Sequence, residues 1–112
     1  MDREEAIRMD KFFEFLKNNT EDAGNWSIEC SQHKSYYETA KQVIEEWEAD
    51  KNVGPCLDFE TPAHRQRAID TNTIFYLQWY RRTPVSFDSY AAPTMEELAS
   101  WVMSDQEAIS EA

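Results

Sequence analysis

The sequence predicts an α+β domain: a small three-stranded, mainly antiparallel sheet that includes a C-terminal β-hairpin, packed against three or four helices. Three observations carry this expectation. Apolar residues recur at helical spacing around residues 9–16, 40–47 and 98–102, and they alternate or run on in strand fashion over 26–30, 73–80 and 85–90. Only a short turn separates the last two strands, which is the mark of a hairpin. The 112 residues, 41% apolar and 13% aromatic, suit one domain that buries about two thirds of its unfolded surface. The reading is therefore a single domain over 1–112, with a polar tail over 104–112 expected to fray.

The first helix spans residues 2–18, where Met9, Phe12, Phe13 and Leu16 fall at i, i+3, i+4 and i+7 among charged neighbours. The polar run from Asn18 to Asn25, with Gly24, ends it. Trp26, Ile28 and Cys30 then alternate with Ser27, Glu29 and Ser31, the pattern of a half-buried strand. A second helix is expected from Ser35, which stands three residues before Glu38 as in a capping box. Its apolar face is Tyr36, Tyr37, Ala40, Val43, Ile44 and Trp47, opposite Glu38, Lys41, Glu45 and Glu48, and Asn52, Gly54 and Pro55 stop it. A short third helix begins at Pro62, with Thr61 able to cap it.

Residues 73–80 are apolar on both sides, with Phe75, Leu77 and Trp79 opposite Ile74, Tyr76 and Tyr80, as in a central strand covered on both faces. The turn Arg81–Pro84 leads to a return strand in which Val85, Phe87 and Ser89 alternate with Ser86, Asp88 and Tyr90. Thr94 and Glu97 repeat the capping-box spacing, and Leu98, Trp101 and Val102 form the inner face of the last helix. Packing of the helices mostly on one face of the sheet completes the expectation. Periodicity accounts for most of the aromatic rings as core. Tyr76, Tyr80 and Tyr90 are set apart as a candidate surface, on the reading that they share the less apolar hairpin face with Ser86 and Asp88.

Charge is the most informative feature. The formal net charge is −11, and residues 1–20, 21–61, 62–92 and 93–112 contribute −1, −7, +2 and −5. Acid gathers on the second helix and its flanks, and on the last helix and tail. The hairpin region carries the one net-positive stretch, Arg65, Arg67, Arg81 and Arg82. Such a balance argues against direct binding to nucleic acid or to an anionic membrane. It suits a partner with a basic surface, although acidity also serves solubility alone.

Catalytic signatures are lacking. Two glycines allow no Gly-rich phosphate loop, and no serine nucleophile elbow is present. Cys30 and His33, with Cys56 and His64, make a chemically allowed zinc set without the usual ligand spacings. The expectation is no metal, no cofactor, no enzyme activity and two reduced thiols. The N-terminus lacks a signal-peptide core and no window reaches membrane-span length, so a cytoplasmic setting is expected.

The string from Leu77-Gln78-Trp79-Tyr80 through Thr83-Pro84-Val85 to the helix-opening Thr94 and Glu97 resembles small acidic proteins of tailed bacteriophages and prophages, over about residues 73–103. The resemblance implies the cytoplasm of a bacterial host and an inhibitor of anti-CRISPR or anti-restriction type. It supplies no catalytic or binding residue to carry over. The functional expectation is a non-enzymatic acidic binding protein that occupies a basic host protein or nucleoprotein complex by DNA mimicry. Glu38, Glu45, Glu46, Glu48 and Asp50 stand in for phosphates, and Tyr76, Tyr80 and Tyr90 act as anchors. Two alternatives are an assembly protein that oligomerises through its hairpin and a small Cys/His metal-binding domain.

Overall fold

The computed structural model describes residues 3–21, 24–30, 39–50, 57–82 and 85–111. The elements in chain order are α1 (Arg3–Asn18), β1 (Trp26–Cys30), α2 (Ala40–Ala49), α3 (Pro62–Thr71), β2 (Phe75–Arg82), β3 (Val85–Ala92) and α4 (Met95–Glu111). The sheet is three-stranded and antiparallel in the order β1-β2-β3, so the aromatic strand β2 is central. None of the described helices is long and apolar enough to cross a membrane.

Local signals place the helix ends. Thr61 accepts from the His64 amide at 3.1 Å with Pro62 in the first turn, and Thr94 accepts from the Glu97 amide at 3.1 Å. The start of α2 differs from the expectation. Its N-cap is Thr39, in extended conformation, whose hydroxyl accepts from the Gln42 amide at 3.1 Å. The cap expected at Ser35, with Glu38, lies outside the described residues, as do Tyr36 and Tyr37.

Two apolar clusters sandwich the sheet. On one face Leu77, Trp79, Tyr90 and Ala92 meet Met9, Phe12 and Leu16 of α1 and Leu98, Ala99 and Val102 of α4. On the other, Tyr76 and Ala91 meet Val43 and Ile44 of α2, Ala68 of α3, and Leu57. Each large side chain so buried contributes about 1.5–3 kcal/mol of transfer free energy. The expected one-sided packing is thus corrected: Ile74, Tyr76 and Ala91 make the second face apolar, and α2 and α3 cover it. That cover stops short of the hairpin tip. Phe13, expected in the α1 core stripe, is partly exposed and stacks on Trp26 with centroids 5.8 Å apart.

Of the described residues between α1 and β1, Glu21 and Asn25 pair with β2. The Glu21 amide donates to the Tyr80 carbonyl at 2.8 Å, and the Tyr80 amide donates to the Asn25 carbonyl at 3.1 Å. A Cβ at Gly24 would lie 2.5 Å from Cβ of Tyr80, so only glycine fits this approach.

Candidate functional site: the acidic helix and the hairpin edge

Helix α2 turns Ala40, Val43 and Ile44 inward and leaves Glu45, Glu46, Glu48 and Asp50 exposed. These carboxylates span five residues of rise, about 7.5 Å of helix axis. Duplex DNA places one negative charge about every 1.7 Å of its axis. Two cations reduce the match. Arg65 of α3 donates to Glu48 through Nε at 3.0 Å and through Nη2, and Lys41 stands 3.8 Å from Glu45. Glu48 is therefore committed to an internal ion pair. Glu38 lies outside the described residues.

The net-positive stretch read from the sequence does not form a patch. Arg65 faces Glu48, Arg67 faces Glu97 of α4, and Arg81 lies 3.2 Å from Asp88. Arg82 donates to the Asn18 carbonyl at 2.7 Å, at the C-terminus of α1, where a cation is favoured. Each arginine joins a different pair of elements, and Arg65, Arg67 and Arg81 are each matched to a carboxylate of this chain.

The three tyrosines set apart as a surface do not share a face. Arg82 stands opposite Val85, so pairing partners sum to an odd number and Tyr80 opposes Phe87 while Leu77 opposes Tyr90. Tyr76 and Tyr80 therefore lie with Val85, Phe87, Ser89 and Ala91, whereas Tyr90 lies with Ser86 and Asp88 on the α1–α4 face. Tyr76 is 8% and Tyr90 5% exposed, which corrects their assignment as anchors. The Tyr76 hydroxyl donates to Glu29 at 2.5 Å and that of Tyr90 to Asp105 at 2.8 Å. Burial foremost, then the hydrogen bond and charge of Asp105, raise the Tyr90 phenol far above its ordinary pKa. Tyr80 remains a surface residue at 47% exposure. Its ring lies 4.7 Å from that of Phe87, itself 48% exposed, and Val85 beside them is 74% exposed.

The outer edge of β3 carries a second feature, a concavity lined by Asp58, Phe87, Asp88, Ser89, Tyr90, Trp101 and Asp105. Residues from β3, α4 and the segment before α3 line it, with Tyr90 and Trp101 packed edge to face at 4.7 Å on the α4 side and Phe87 at the rim on the other face. Their spacing along the chain gives no hint of this. Only the pairing register and the crossing of α4 behind β3 join them.

Among the described residues, no group of three or more His, Cys, Asp or Glu side chains could hold a metal ion. Cys30 is a half-buried free thiol, while His33 and Cys56 of the alternative zinc set lie outside the described residues. Fold and surface define an acidic α+β domain with an open hairpin edge. No protein-family model, curated protein or solved structure matches the chain.

Proposed function

We propose that this is a non-enzymatic binding protein that occupies a basic surface of a host protein or nucleoprotein complex. The observation that carries the reading is the solvent side of α2, where Glu45 and Glu46 lie exposed in the last turns and Asp50 lies exposed at the C-cap just beyond them. Glu48 is engaged by Arg65 and Glu45 stands 3.8 Å from Lys41, so the carboxylate array that stands in for phosphates is sparser than the sequence suggested. Arrayed carboxylates on a rigid helix meet a lysine- and arginine-lined cleft without reorganisation, and their field speeds the encounter. Exposed Tyr80 is the remaining tyrosine anchor, with Phe87 beside it. The phage and prophage resemblance supports the finer version, an inhibitor of anti-CRISPR or anti-restriction type acting by DNA mimicry in the bacterial cytoplasm.

The test is affinity capture from bacterial lysate with the wild type and with Glu45→Lys/Glu46→Lys/Asp50→Lys side by side. A nucleic-acid-binding protein should be retained by the wild type, displaced by duplex DNA and lost by the variant. Each reversal facing a basic cleft is worth more than about 1 kcal/mol of binding but only a few tenths of a kcal/mol of stability. Equal retention by the two proteins refutes the assignment of α2.

A further inference from the structure

We propose that the open edge of β3 over Val85–Ser89 accepts an extended basic segment of the partner as a fourth strand, with one arginine or lysine side chain seated among Trp101, Asp58 and Asp105. The inference rests on the reading of the protein as a binder of a basic partner, and it locates where that partner docks. Its first support is the hydrogen-bond phase of the sheet. The Ala91 amide donates outward to the Asp58 carbonyl at 3.0 Å, whereas the Tyr80 and Arg82 amides donate toward β1 and its preceding segment, to Asn25 and Asn19. In an antiparallel ladder alternate residues point the same way. Val85, Phe87 and Ser89 share the parity of Ala91, so their N–H and C=O groups point away from β2. Ala91 is bridged to Phe59 in parallel fashion, and among the described residues Val85, Phe87 and Ser89 have no corresponding backbone hydrogen bond. An edge of this kind templates another strand.

The second support is the chemistry around the edge. Val85 and Phe87 are exposed apolar side chains on the strand itself, ready to pair across to a neighbour. Beside them the concavity brings Trp101 together with Asp58, Asp88 and Asp105 on the α4 side of the strand, while Phe87 lines its rim from the other face. Aromatic faces with carboxylates accept a guanidinium or ammonium group. Asp88 already faces Arg81 at 3.2 Å, and Asp105 accepts from Tyr90, which leaves exposed Asp58 and the second oxygen of Asp105 for an incoming cation. Among the described residues, the one acid of β1, Glu29, is already engaged, since it accepts from Tyr76. Charge also selects against a second copy of this chain: two β3 edges paired about a two-fold would set Asp58, Asp88 and Asp105 of one molecule near those of another, each molecule carrying −11.

The experiment uses the full chain and a blocked peptide of alternating arginine and valine, about eight residues long, and reads amide hydrogen exchange by NMR. Saturating peptide should slow exchange of the Phe87 and Ser89 amides by about tenfold or more. A version with proline in place of each valine, which cannot complete a ladder, should leave them unchanged, and Asp58→Lys should weaken the arginine–valine peptide by about tenfold. Three results overturn the proposal: no protection at those amides, equal protection by a glutamate–valine peptide, or protection that rises with protein concentration in the absence of peptide. The Glu45→Lys/Glu46→Lys/Asp50→Lys variant should keep the peptide effect, so failure at the β3 edge is read separately from failure of the α2 reading.

Discussion

Tyr90 and Arg81 sit on the same face of the hairpin and solve one problem, the burial of polar groups beneath α4. Arg81 is 6% exposed and is held by Asp88 at 3.2 Å and Ser86 at 2.8 Å, and Ser86 in turn donates to Asp88 at 3.0 Å. Removing one member of a buried pair leaves the other without compensation, whereas replacing both with apolar groups is far milder. Arg81→Leu should therefore lower the unfolding free energy by about 3 kcal/mol, and Arg81→Leu/Asp88→Leu should recover much of it in denaturant titrations. Tyr90 gives a pH signature. Its folded pKa is raised, so its stabilising contribution is complete below the unfolded value of about 10 and is lost as pH rises above it, where the unfolded chain ionises and the native one does not. Tyr90→Phe should cost about 1 kcal/mol at neutral pH through the lost bond to Asp105. Its stability should then fall less steeply than the wild type's between about pH 9.5 and 11, a comparison of two unfolding curves that a purely steric role for the ring would leave parallel.

At the scale of elements, short turns and caps decide how the pieces meet. Asn72 ends α3 in the left-handed region, at φ 55° and ψ 41°, and its side-chain oxygen accepts from the Ala40 amide at 2.6 Å. One residue thus closes α3 and anchors the first turn of α2, two helices that together cover the second face of the sheet. Asn72→Gly keeps the left-handed turn and loses the anchor, so it should cost about 1 kcal/mol. Asn72→Ala loses both and should cost about 2 kcal/mol, measured by thermal unfolding. The element types were legible because period and caps are local: Thr61 with Pro62, Thr94 with Glu97, and the apolar run of β2 all form as their spacing predicts. Which side chains share a hairpin face was not, since it turns on the parity of the connection. With Arg82 opposite Val85, even residues of β2 oppose odd residues of β3, and a grouping of Tyr76, Tyr80 and Tyr90 dissolves. The β3 concavity was illegible for a related reason, as Asp58, Phe87 and Asp105 are brought together by topology alone.

For the molecule as a whole, net charge and open sheet edges bear on each other. The three-stranded sheet has β1 and β3 at its margins, and an open margin is a row of backbone donors and acceptors, a hazard that natural proteins offset with short strands, bulges, covering segments or charge. Here the chain before α3 covers one end of β3 through Phe59, and carboxylates stand along the rest. At neutral pH a charge of −11 on 112 residues opposes association between copies, while Arg65, Arg67 and Arg81 are each paired internally with a carboxylate. The repulsion has a defined limit. As pH falls toward the isoelectric point near 4.5, the net charge of the molecule shrinks toward zero, and the exposed Val85–Phe87 edge loses its protection. The protein should therefore remain monomeric at neutral pH and low salt, then self-associate as it is titrated to about pH 5. Ser89→Pro removes an outward-facing donor on an edge strand, where proline is tolerated, and should delay that association while leaving the neutral-pH fold unchanged. Light scattering across the titration checks both statements. A stable dimer at pH 7, or a Ser89→Pro variant that associates along the same curve as the wild type, would show that charge along β3 is not what holds the molecules apart.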